Sequence, residues 1–129
     1  MIIRNFNKKL DYSDVLYYYY PKSSWRIEND PLVYENIIWH SEDLKKPLKS
    51  DLDEKYEELK VLGAKELLRS HRDELIAETD WWVLPDRNPT QEQLSYRQAL
   101  RDLPQNSTPV LDHTDPLGIS GVIWPTKPQ

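Results

Sequence analysis

The chain has 129 residues, of which 38% are hydrophobic and 30% charged, with a mean hydropathy of −0.79 and a formal net charge of −5. That length suits one domain or two small subdomains, and such polarity leaves little apolar surface for a free-standing core. The acidic balance works against phosphate backbones, so no nucleic-acid partner is expected. With no cysteine, disulfides, thiolate nucleophiles and cysteine-ligated metals are excluded.

Residues Met1 to Phe6 lack the long apolar core of a signal peptide. No apolar run approaches the ~18 residues that a membrane span requires. The expected compartment is therefore the cytoplasm, with no membrane partner. Five Trp and eight Tyr offset the shortage of aliphatic residues, because each buried aromatic side chain removes roughly 150–250 Å² from water.

Residues 1–48 are aromatic and β-branched. Val15 to Tyr20 is rich in strand formers and ends at Pro21; Trp25 to Glu28 reads as a second strand. Asn29-Asp30-Pro31 is a turn signal, and Leu32 to Trp39 reads as a third strand. The expectation is a small antiparallel meander. As a strand, Tyr17 to Tyr20 puts two rings on each face. Two readings stay open: a central strand with a half-wet phenol layer, or a face that meets a partner chain.

Residues 49–78 are charged with a helical period. Ser50 is a candidate cap, and Asp51, Asp53 and Glu54 suit the positive end of a helix dipole. Leu52, Tyr56, Leu59, Leu62, Leu67, Leu68, Leu75 and Ile76 recur at largely helical steps, and no proline lies between 48 and 84. One helix of up to about 28 residues follows, with Gly63 costing about 1 kcal/mol inside it. Its narrow apolar stripe either covers the sheet or supports self-association.

Residues 79–129 hold seven of the ten prolines. Thr90 and Gln93 form a capping box for a helix that Pro104 stops near Leu103, with Tyr96 and Leu100 on its inner face. The two helices are expected to form an antiparallel hairpin around Trp81 or Trp82. The chain then reads as loop up to Gly121 and ends in an extended proline-stiffened tail from Val122.

Catalysis needs a poised base with an activated partner. His40, His71 and His113 lie in different zones. Asp112, His113 and Asp115 offer one nitrogen and two carboxylates within four residues and no distant ligand, too little for a metal site. No Gly-x-Ser-x-Gly elbow and no phosphate-cradling glycine loop occurs. The expectation is no enzyme, no metal and no cofactor; the rival is a hydrolase built around His113. Aromatics and Arg dominate binding hot spots. Tyr18, Tyr20, Trp25 and Trp39 are the candidate partner-binding aromatics, joined by Arg97 and Arg101 on one helix face. Trp81, Trp82, Tyr96, Leu100 and Trp124 are the candidate core.

Several blocks together resemble a known family. Arg72-Asp73-Glu74-Leu75-Ile76-Ala77-Glu78-Thr79-Asp80-Trp81 is similar to the R-x-x-L-L-x-x-T-D-W opening of the phage tail assembly chaperones, and Leu84-Pro85-Asp86 to the loop that follows it. Tyr96 to Leu103 resembles the Y-R-Q-A-L-R-D-I helix. Trp124-Pro125-Thr126-Lys127-Pro128 resembles the W-P-x-x-P ending shared with tail fibre assembly proteins. The resemblance covers about residues 65–129. Family members often have a longer loop between the positions of Trp81 and Thr90. Trp25, Asn29-Asp30, Tyr34, Trp39 and Lys46-Pro47 resemble a small β module that precedes this domain in some phage proteins.

The resemblance implies an assembly factor acting in the host cytoplasm, retained in some members as a minor tail component. Its partner would be a phage tail fibre, and a homo-oligomer, favouring a trimer matching the fibre, is expected. The alternative is a permanent adaptor in the tail or baseplate. The reading is an α+β chain: a β module at 1–48 that grips the fibre, and a helical chaperone-like domain at 49–129.

Overall fold

A computed structural model describes residues 9–129. The leader reading at Met1 to Phe6 lies outside the described residues, as does the start of the expected β module. The fold is α+β, with three α-helices and two small antiparallel strand pairs among the described residues. The chain divides into two units, residues 1–63 and 64–129.

In the first unit, Tyr12–Tyr19 is a helix, α1, and not the strand expected at Val15 to Tyr20. Asp11 starts it: its side chain accepts from Ser13 N at 2.8 Å, while the Asp14 carboxylate accepts from Asp11 N at 2.9 Å. This reciprocal cap supplies partners that a helix's first N–H groups otherwise lack. The buried residues Tyr12, Val15 and Leu16 stand at steps of three and four, so one face is covered. Strand propensity is weak against a cap plus a helical burial pattern. The tyrosine quartet therefore does not alternate across a sheet. Tyr17 is 62% exposed and edge-on to Trp25, whereas Tyr18, Tyr19 and Tyr20 are half-buried.

Two strands follow, β1 (Trp25–Ile27) and β2 (Ile37–Trp39), antiparallel with Trp25 opposite Trp39 and Ile27 opposite Ile37. The expected strand at Leu32 to Trp39 forms a paired strand only in its last three residues. Asn29 sits at φ 66°, the Asp30 carboxylate accepts from Leu32 N at 2.9 Å, and a 3₁₀ turn occupies Tyr34–Asn36. Asn and Asp suit such geometry because their side chains bond locally and tolerate positive φ.

The long helix α2 spans Lys49–Glu78 without interruption at Gly63, and Ser50 lies inside it. Its first part belongs to the first unit, which therefore reaches beyond residue 48. Leu52 and Leu59 are buried there. The Tyr56 hydroxyl donates to Leu10 O at 2.9 Å, and the Tyr12 hydroxyl donates to Asp53 at 2.5 Å. Burial, then the Asp53 carboxylate, raises the Tyr12 phenol well above its usual range. Lys49, 2.8 Å from Asp53, leads in holding the Asp53 carboxyl below its ordinary value, with Tyr12 second.

The second unit contains the rest of α2, a 3₁₀ turn at Asp80–Val83, helix α3 (Gln91–Asp102), and strands β3 (Val110–Leu111) and β4 (Ile119–Ser120). The Thr90–Gln93 box caps α3 through bonds of 2.9 and 3.1 Å. Two apolar clusters hold the unit together. One joins Ala64, Leu68, Leu103 and Ile119, with Leu67, Leu111, Val122 and Trp124 against it. The other joins Trp82, Tyr96 and Leu100, with Leu75 and Ile76 against it. Since Leu103 meets Leu68 while Tyr96 meets Ile76, the two helices run antiparallel.

The β3–β4 pair lies inside the stretch expected to be loop. Asp112 N donates to Gly118 O at 2.9 Å, and Gly118 and Gly121 take φ values of 80° and 79° that glycine alone adopts freely. Strands of two residues are too short for periodicity to reveal.

Candidate functional site

The turn after α2 presents neighbouring residues to opposite environments. A 3₁₀ turn advances about 120° per residue, so adjacent side chains diverge. Trp82 points inward at 5% exposure, its ring 6.0 Å from Tyr96. Burial raises the Tyr96 phenol above its ordinary value. Trp81 points outward at 49% exposure, and Val83 and Leu84 are also exposed. Trp81 is thus not core, whereas Trp82 is. The Arg87 guanidinium lies 5.0 Å from the Trp81 ring centroid, a cation–π contact.

The turn is held from beneath by Arg97. This residue of α3 is 4% exposed, which corrects the expectation that it faces a partner. Its Nη1 donates to Ile76 O at 3.1 Å and to Thr79 Oγ1 at 2.7 Å; its Nη2 donates to Asp80 at 2.9 Å. Thr79 is fully buried and donates its own hydroxyl to Ile76 O at 3.0 Å. Carbonyls at a helix end lack intrahelical partners and carry the negative end of the dipole. A buried guanidinium answers both needs, and its planar fork reaches several acceptors at once. Arg97 is buried and Arg101 exposed on the same helix, so the structure does not bring them together as a pair.

Leu100 is fully buried and Tyr96 nearly so. Trp124 is half-buried against the Leu68–Leu103 cluster and edge-on to His71, whose Nε2 lies 3.0 Å from Leu117 O. Tyr18, Tyr20, Trp25 and Trp39 are half-buried in the first unit, with Tyr18 edge-on to Tyr19 and the Trp39 indole donating to Leu44 O at 2.6 Å. The Tyr19 hydroxyl is buried with no hydrogen-bond partner among the described residues, and burial pushes it up to about 12.

Asp112 accepts from Thr114 N at 3.0 Å and from its hydroxyl at 2.5 Å, which holds its carboxyl below the usual range; Asp115 accepts from Leu117 N at 2.8 Å. These bonds shape the turn around His113. Among the described residues no group of three or more His, Asp or Glu side chains gathers as a cation would require. No helix described is long and apolar enough to cross a membrane.

Sequence reasoning missed Thr79, Asp80, Val83 and Leu84. The available signal was the pair Thr79-Asp80 at the helix end together with an arginine beside Tyr96, on the face that turns inward.

Two helices with a short strand pair, carrying an exposed aromatic turn braced by a buried arginine, define a compact α+β scaffold that displays a surface. Residues 65–129, which are 65 of the 129, match the family model described as phage tail assembly chaperone protein. The chain belongs to that family, and its role lies in assembling the phage tail, with tail proteins as its partners. No curated protein and no solved structure matches it.

Proposed function

We propose that the chain is a non-catalytic chaperone that assists the folding, trimerisation or attachment of a tail fibre through direct binding, in the host cytoplasm during assembly. The observation that carries this reading is the Trp81 turn. An indole, a valine and a leucine stand exposed within four residues, inside the stretch that matches the family. Exposed apolar side chains on a braced turn lose little conformational freedom when they bind, and tryptophan is enriched at binding hot spots. An unassembled fibre exposes strand edges and apolar surface that aggregate, and a covering partner prevents this.

The half-buried rings of the first unit, Tyr18, Tyr20, Trp25 and Trp39, together with exposed Arg101, make a second contact in this reading. A homo-oligomer, favouring a trimer, would match the fibre's symmetry.

The test is co-expression of the phage's tail fibre with and without this chain, measuring soluble trimeric fibre by size-exclusion chromatography. The reading expects a several-fold fall in trimer without the chain, and a similar fall with Trp81→Ala. An unchanged trimer yield without the chain overturns it.

A further inference from the structure

We propose that Arg97 is a positioning residue for partner binding: through Asp80 it fixes the direction in which Trp81 leaves the end of α2. The inference rests on the reading of the Trp81 turn as the contact surface.

The geometry is specific. Arg97 Nη1 holds the end of α2 through Ile76 O and Thr79 Oγ1, while Nη2 holds the first residue of the turn through the Asp80 carboxylate. Nε has no partner among the described residues, so the brace runs through the two Nη groups. Its two ends differ in burial. The Arg97 side chain is 5% exposed and that of Asp80 is 63% exposed, so the arm to Asp80 is open while the arm to the helix end is sealed.

Trp82 N donates to Thr79 O at 3.0 Å at the start of the 3₁₀ turn, and at its end Leu84 N reaches Trp81 O only at 3.5 Å, the weak end of hydrogen bonding. The Asp80 arm is the side-chain bond that ties the first residue of the turn to α3. With it, Trp81 is held outward before any partner arrives, so less ordering remains to be done on binding. A lysine at this position has no planar fork and cannot reproduce both arms.

The arms can be separated by substitution in the full chain. Asp80→Ala removes the exposed acceptor and leaves the Ile76 and Thr79 bonds in place. Arg97→Lys removes the fork but keeps the charge. Amide hydrogen exchange at Trp82 and Leu84 reads the turn directly. The fluorine resonance of 5-fluorotryptophan at position 81, assigned with Trp81→Phe, reads the indole. Both variants should lose about tenfold protection at Trp82 and Leu84 and shift or broaden the Trp81 resonance, while the Asp112 amide in the β3–β4 pair stays protected.

Affinity for the immobilised tail fibre should fall about tenfold in each variant, and the double variant should lose no more than the worse single one. Unchanged exchange and fluorine spectra in Asp80→Ala overturn the positioning role. Additive losses overturn it too, because Asp80 would then be acting on the fibre without Arg97. Fibre binding that survives Trp81→Ala instead refutes the surface assignment, a failure distinguishable because the exchange measurement needs no fibre.

Discussion

Trp81 and Trp82 are covalent neighbours with opposite surroundings, which makes truncating each a sharp comparison. Trp82→Ala empties a site walled by Tyr96 and Leu100, with Leu75 and Ile76 against it. Phe or Trp to Ala in such a site costs about 3–5 kcal/mol, the lost transfer free energy plus the cavity left behind. Trp81 is half in water and keeps two ring contacts, an edge contact to Trp82 at 6.2 Å and the cation–π contact to Arg87. Contacts of that kind contribute about 0.5–1.5 kcal/mol beyond area, so Trp81→Ala should cost about 1 kcal/mol.

Urea denaturation followed by far-ultraviolet circular dichroism reads the difference without depending on indole fluorescence. With a slope near ~1.5 kcal/mol per molar, the midpoint should move by about 2–3 M for Trp82→Ala and by less than about 1 M for Trp81→Ala. Equal shifts, or a larger shift for Trp81→Ala, would refute the assignment of the two rings to inside and outside.

Asp11→Ala removes the cap that makes Tyr12–Tyr19 helical and should destabilise the chain by about 1 kcal/mol, seen as a lower urea midpoint; no change would mean that the cap is unimportant. Gly121 stands at φ 79° with an added Cβ only 3.2 Å from Thr108 O, so Gly121→Ala should lower the melting temperature, at a cost of about 1–2 kcal/mol. Tyr12 and Tyr19 both titrate above the ordinary phenol value, so the folded chain keeps protons that the unfolded chain releases. Stability is then fully present below pH about 10 and falls as pH rises through the folded values. Absorbance at 295 nm should show Tyr12 and Tyr19 among the phenols that ionise late, and Tyr12→Phe should remove one late-ionising phenol.

The second unit was more legible in the sequence than the first. Thr90 and Gln93 announce α3, and Tyr96 and Leu100 mark its inner face, because a cap and a helical stripe agree there. α1 was hidden by composition. A run of valine, leucine and tyrosines looks extended, yet Asp11 and Asp14 cap it and only Tyr12, Val15 and Leu16 are buried. Reading the cap before the propensity would have found it. The β3–β4 pair had no periodic signal, and its two positive-φ glycines were the clue.

At the site, the residue types were legible and their directions were not. Trp81 and Trp82 are equivalent in any composition argument, and a 3₁₀ turn separates them. Arg97 belongs to the residue type favoured at interfaces, but the helix end it faces needs a buried donor more than a surface needs a charge. The family resemblance was carried by the same blocks that build the turn and α3.

Titrating the purified tail fibre into the full chain by calorimetry, for the parent and for Trp81→Ala, puts the exposed indole itself on trial. A hot-spot role predicts at least about a tenfold weaker Kd for the variant, with its melting temperature nearly kept. Matching isotherms for the two proteins would contradict it.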